Sequence, residues 1–146
     1  MTDVREDILE RLLVVVAGIP NIRRADRNNT DLPDDYVPAA NIYDGDEETK
    51  EFKLARSGNP SGLHIIEMTP VIQISEQSNE VGSDIATLRR ELIKRVLNDA
   101  ALLASVGTNG AIHYAGCQTD LYVGRKFAAA LTAEFVFKYP LKIEEL

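Results

Sequence analysis

The sequence predicts an α+β domain, a mostly antiparallel sheet with two main helices packed on one face. Two long segments, near residues 4–19 and 83–105, repeat apolar residues at helical spacing, whereas 64–76 and 127–139 alternate apolar and polar residues with a period of two. The shorter strand-like runs cluster between turn-rich stretches instead of alternating one by one with helices, as strands joined by turns do. No 20–50-residue repeat, low-complexity run or linker interrupts the 146 residues, so 1–146 reads as a single domain.

The first helix opens at Thr2 or Asp3, either of which can cap it, with Glu6 placed three residues after Asp3 as in a reciprocal capping box. Val4, Ile8, Leu12, Val15, Val16 and Ile19 form its inner stripe, while Arg5, Glu6, Glu10 and Arg11 face away. Gly18, as a left-handed cap, and Pro20 end it. A short strand at Asn21–Ala25 leads into a polar loop, Asp26–Pro38. Ala39–Asp44 is the next strand. The acidic run Asp44-Gly45-Asp46-Glu47-Glu48 reads as a hairpin tip, because Asp-Gly is a strong turn signal, and Lys50–Arg56 as the return strand carrying Phe52 and Leu54. Ser57–Gly62 is a second, flexible turn.

In His64–Glu76 one face holds Ile66, Met68, Ile72 and Ile74 and the other Glu67, Thr69, Gln73 and Ser75. Pro70 interrupts it without an N–H to donate, which places the strand at a sheet edge or makes it bulge. The second helix runs from about Ser83 to Ser105 on a stripe of Ile85, Leu88, Leu92, Val96, Ala100 and Leu103, widened by Ile93 and Leu97, with Arg89, Arg90, Glu91, Lys94 and Arg95 outside it. Gly107 and Gly110 end it. Ala111–Gly116 is a short strand or turn and Cys117–Arg125 a polar connection. The last strand, Phe127–Tyr139, turns Phe127, Leu131, Phe135, Phe137 and Tyr139 one way and Ala128, Ala130, Thr132, Glu134 and Lys138 the other, and Pro140 stops it.

Composition narrows the function classes. Sixteen basic against 23 acidic residues give a net charge of −7, and the pI is about 4.8. A chain whose main task is to grip nucleic-acid phosphates needs a basic face, and so does a surface anchor on anionic lipid. The single cysteine, Cys117, forms neither an internal disulfide nor a thiolate metal cluster. No apolar run is long enough to span a membrane, and MTDVREDILER lacks the pattern of a secretory leader, so the expectation is a chain kept in a reducing cytoplasm.

The sequence holds no P-loop, no dinucleotide fingerprint and no G-x-S-x-G elbow. His64 and His113 lie 49 positions apart with no carboxylate or second histidine at metal-ligand spacing. A Cys117–His113 pair lacks a third group and an oxyanion site. Asp44, Asp46 and Glu48 alternate as in a calcium loop, but Gly45 falls between the acids instead of after them. The cluster Asp31, Asp34, Asp35 likewise reads as solvated, and glycoside chemistry needs an aromatic-lined cleft that a chain without tryptophan does not suggest. The expectation is a protein that is not an enzyme, with no catalytic residue, metal or cofactor.

Laid end to end, the chain resembles the tail terminator family of long-tailed bacteriophages, the small proteins that cap the tail tube. The likeness runs through the amphipathic helix ending Ala17-Gly18-Ile19-Pro20, the segment Leu32-Pro33-Asp34-Asp35-Tyr36-Val37-Pro38-Ala39-Ala40, the acidic Tyr43–Glu47, and the strand Thr69-Pro70-Val71-Ile72-Gln73-Ile74. It continues in the long helix closing on Asn98-Asp99-Ala100-Ala101-Leu102 and the strand Leu131–Tyr139. The resemblance implies helices packed against a sheet, six copies in a ring on the last tube ring, and contacts to the major tail tube protein and to the head connector or stopper protein. It implies a virion protein of the tail or neck, assembled in the host cytoplasm, through which double-stranded DNA passes without being bound specifically, and with no membrane partner. A head–tail joining or connector-adaptor protein of similar fold is the alternative. An enzyme or small-ligand module is a third possibility, and it requires His64, His113, Cys117 or Asp99 to share one pocket.

Within that reading, Asp44, Asp46, Glu47 and Glu48 are expected to form an acidic loop lining the channel, where they would repel phosphate. Charge reversal there is then expected to spare ring assembly and impair DNA passage. Asp34, Asp35, Tyr36, Pro70, Thr132, Glu134 and Lys138 are the expected ring or partner interface.

Overall fold

A computed structural model describes residues 3–29, 37–53, 62–78, 80–123, 127–141, 143 and 146. The described elements are α1 (Val4–Ala17), β1 (Arg24–Arg27), β2 (Ala39–Lys53), β3 (Leu63–Gln77), α2 (Val81–Asn98), α3 (Ala100–Val106), β4 (Ala111–Val123) and β5 (Phe127–Pro140). The five strands form one sheet in the order β1-β2-β3-β5-β4. All neighbours are antiparallel except β1 and β2, and the fold is α+β as expected.

Sheet residues of alternate parity, among them Ile42, Ile66, Met68, Ile72, Ile74, Leu131, Phe135, Phe137 and Tyr139, join Ile8, Leu9, Leu12 and Val16 of α1 and Ile85, Leu88, Leu92 and Val96 of α2 in one core. The helices therefore cover one face, driven by burial of these side chains, each worth about 1.5–3 kcal/mol when fully removed from water. Asp3 caps α1 by accepting the Arg5 backbone N–H at 3.1 Å. Gly18 is right-handed (φ −82°), so the expected left-handed cap is not there; the chain reverses at Asn21, whose φ is +75°.

The expected second helix is two. Asp99 is extended (ψ 118°) and its carboxylate accepts the Leu102 N–H at 3.0 Å, ending α2 and starting α3. The break shifts the helical phase, so Leu102 and Val106 enter the core while Ala100 and Leu103, expected inside, are exposed.

Three strand expectations are corrected. Strand β2 does not turn at Asp44-Gly45 but runs on to Lys53. The register with β3 slips there, Tyr43 opposing Val71 and Asp46 opposing Thr69, so Asp44 and Gly45 form a β-bulge opposite Pro70. Pro70 has no N–H, and the bulge spares the ladder a donor it could not receive. Of the two alternatives that Pro70 raised, a bulge is found, carried by the facing strand β2, and a sheet edge is not: β3 is the central strand, flanked by β2 and β5, with Pro70 buried. The polar segment after Gly116 is not a connection either: Ala111–Val123 is one strand along β5, with a slip between Tyr114 and Gly116. Its second half, Cys117–Leu121, is exposed throughout, so no burial imposes an alternating pattern.

Glu76 ends the buried face of β3, 8% exposed, with the Gln77 N–H donating to it and Asp84 nearby. Burial, reinforced by Asp84, pushes its carboxyl above the usual range. A raised native value means that the folded state holds the proton more tightly, so Glu76 weakens folding as pH climbs through the carboxylate range. Glu76→Gln is expected to raise stability by about 1 kcal/mol at pH 7, a gain that disappears in acid. Urea unfolding at both pH values checks this; equal stabilisation at both would rule out the ionisation cause.

Candidate functional site

The acidic run sits in the outer half of β2 and is neither a loop nor a set of equivalent free charges. Arg27, on β1, holds Asp44 through Nε to Oδ1 at 2.7 Å and Nη2 to Oδ2 at 2.9 Å. The same guanidinium holds Glu6 of α1 through Nη1 at 3.0 Å and Nη2 at 2.6 Å. Hydrogen bonds from Arg27 hold both carboxyls below their usual range, and the two carboxylates raise the Arg27 pKa in return. The Asp44 N–H donates to Asn28 Oδ1 at 3.1 Å. Asp44 thus ties the bulge to α1 and β1.

Glu47 shares the helix-covered face and accepts the Tyr139 hydroxyl at 3.1 Å. Burial, with Glu47 beside it, raises the Tyr139 pKa. Glu48 pairs with Lys50 at 3.0 Å, and Lys50 also approaches Glu67 at 3.6 Å. Asp46 and Glu51 are exposed and have no cation among the described residues. Strand β1 covers only Ala39–Ile42, so from Asp46 to Lys53 no described strand lies on the outer side of β2, and every residue there is exposed.

Of the expected interface residues, Thr132, Glu134 and Lys138 lie on the sheet face that no described helix covers, opposite Gln73, Val71 and Glu67 of β3. Glu134 is exposed and the other two are half-buried. Pro70 is buried in the central strand, away from any sheet edge, because β2 and β5 pair on both sides of it. Asp34, Asp35 and Tyr36, and with them Asp31 and the turn 57–61, lie outside the described residues.

The residues required for a catalytic pocket do not converge. His64 points to the helix side of β3, with its ring 4.8 Å from that of Phe52. His113 pairs with Val136, on the opposite face of the sheet and two strands away. The registers set the two histidines five residues apart along the strands, roughly 16 Å, plus roughly 10 Å across. Asp99 is held elsewhere by Arg11, through Nε at 2.9 Å and Nη2 at 2.7 Å, which keeps its carboxyl below the usual range. Among the described residues no group of His, Cys, Asp and Glu is placed to hold a metal, and no helix is long and apolar enough to cross a membrane.

Sequence reading missed a groove on the other side of the molecule. Along α2, Arg89, Arg90 and Lys94 rim an opening of about 500 Å³ floored by Ile93, Leu97 and Tyr114 of β4. Arg89 lies 5.8 Å from the centre of the Tyr114 ring, and the Cys117 thiol and Tyr114 hydroxyl raise its pKa. None of the three cations has a carboxylate partner among the described residues, whereas Arg95 is paired to Glu91 at 3.2 Å. The periodicity that marks Ile93 and Leu97 as wideners of the helical stripe was the available signal.

No family model matches the chain, and no curated protein matches it.

Proposed function

We propose that this protein is a structural ring subunit that caps the tail tube of a long-tailed bacteriophage particle, ends tube polymerisation and offers a docking surface to the head connector. The observation that carries the reading is a sheet that, among the described residues, is left open at both ends. Among the described residues, β2 beyond Ile42 and the outer side of β4 have no neighbouring strand, so their backbone donors and acceptors are free to pair with further copies, as a ring subunit requires. The helix–sheet layering agrees with the resemblance. In this reading the partners are further copies in a ring of six, the major tail tube protein and the connector, and DNA passes without specific contact. The protein works in the neck of the virion and needs no cofactor.

Deleting the gene from a particle-producing strain and imaging the products by negative-stain electron microscopy tests it. Overlong or irregular tubes detached from heads are the expected result. Tubes of normal length beside DNA-filled tailless heads would instead assign it to the head–tail joint, and intact particles would overturn the virion reading.

A further inference from the structure

The two open ends of the sheet differ in charge, and the difference selects one way of joining them. The β2 edge from Asp46 to Lys53 carries four carboxylates against two lysines, of which Lys50 is spent on Glu48 and Glu67. It also exposes Phe52, an aromatic ring 51% accessible, on the helix side of the sheet. The β4 edge carries one carboxylate, Asp120, and lies beside Arg89, Arg90 and Lys94, a row with no carboxylate partner among the described residues. Between that row and β4 is the apolar groove of Ile93, Leu97 and Tyr114, again on the helix side.

We propose that a second copy of this chain lays the outer edge of its β2 against β4, with Phe52 entering the groove between Ile93, Leu97 and Tyr114. Backbone groups unpaired on both edges complete an intermolecular ladder. Pairing β4 with β4 would bring two cationic rows together, and pairing β2 with β2 would set acidic run against acidic run, both unfavourable across a strand pair. Only β2 against β4 joins opposite charges and gives a ring knob a hole to fill. Such a joint is head-to-tail, so each copy keeps one free end, and repetition leads to a closed ring or a filament. The inference rests on the ring reading above and names the surfaces that build the ring; it replaces the channel-lining role expected for Asp46 and Glu48.

The native thiol of Cys117, exposed on β4, reports on this contact. Single variants Glu48→Cys, Thr49→Cys and Glu51→Cys in the otherwise intact chain are oxidised and run on non-reducing gels. A head-to-tail joint gives a ladder extending past the dimer for at least one position, which Cys117→Ser removes. Adding Arg89→Glu and Lys94→Glu to the linking variant is expected to abolish species above the dimer, with unchanged circular dichroism showing that the fold survives. Dimers alone, formed through Cys117 in the parent chain, would mean an isologous β4 contact and overturn the proposal. No cross-link at any position, even in concentrated protein, would overturn it as well. If deletion still gave overlong tubes in that case, the capping reading would stand without this joint. A ladder with intact particles on deletion would leave the joint standing without the capping role.

Discussion

Gly45→Ala is expected to remove more than about 3 kcal/mol of stability, lowering Tm by roughly 6–12 °C in a chain of this size. Gly45 has φ +71°, a conformation that alone costs a side-chain-bearing residue about 1–2 kcal/mol. A Cβ there would lie 1.9 Å from the Thr69 carbonyl oxygen and 2.8 Å from its carbon, backbone atoms that cannot rotate aside. The bulge would have to open, and with it the alignment of Asp44 on Arg27. Gly82 in α2 supplies the contrast. A Cβ at that position meets nothing within 4 Å and the backbone is not left-handed. Gly82→Ala is therefore expected to raise stability by about 0.5–1 kcal/mol, by restricting the unfolded chain and favouring the helix. Thermal unfolding of both variants measures the pair. A Gly45→Ala protein as stable as its parent would mean that the β2 register is not pinned at this bulge.

The same dipeptide shows why some of the fold could be read from sequence and some could not. Asp-Gly supplies a left-handed residue, and left-handed residues serve hairpin turns and bulges alike. The choice between them is made by Pro70 on the neighbouring strand, 25 positions later, which local sequence does not weigh. Helix α1, strand β3 and strand β5 were legible because each buries one face only, so a regular period survives in the residues. Strand β4 lies at an edge, with Cys117–Leu121 exposed on both faces, and no period remains to be seen. The helix break at Asp99 was equally hidden, since its cause is an Arg11 side chain from α1 combined with a capping bond to Leu102. For the candidate surfaces, the acidic composition of residues 44–48 was visible, but not that Arg27 and Tyr139 occupy two of the four carboxylates. The row Arg89, Arg90 and Lys94 was visible as a solvated helix face. Its meaning depends on Tyr114 and the free edge of β4, which only the assembled sheet brings alongside.

Arg27→Met is expected to lower stability at pH 7 by about 2 kcal/mol, or roughly 4–8 °C in Tm, because it strands two carboxylates that share one cation. The full penalty of a buried pair, about 3–5 kcal/mol, does not apply, since solvent screens side chains that are 25% (Arg27), 43% (Glu6) and 26% (Asp44) accessible. The two carboxyls are depressed in the folded protein, so their contribution is present above the ordinary carboxylate range and is lost as pH falls through the folded values. The gap between parent and variant should therefore be widest near neutrality and close as the solution becomes acidic. Without Arg27, Glu6 and Asp44 repel each other across the space that it filled. Adding Asp44→Asn to Arg27→Met should then recover part of the loss, although Asp44→Asn alone destabilises the parent, a non-additivity that direct contact requires. Urea unfolding of the four proteins at neutral and acid pH supplies every term. A gap that stays constant on acidification would show that Arg27 stabilises through packing of its stem instead of through charge, and simple additivity at pH 7 would deny that the three side chains act as one unit.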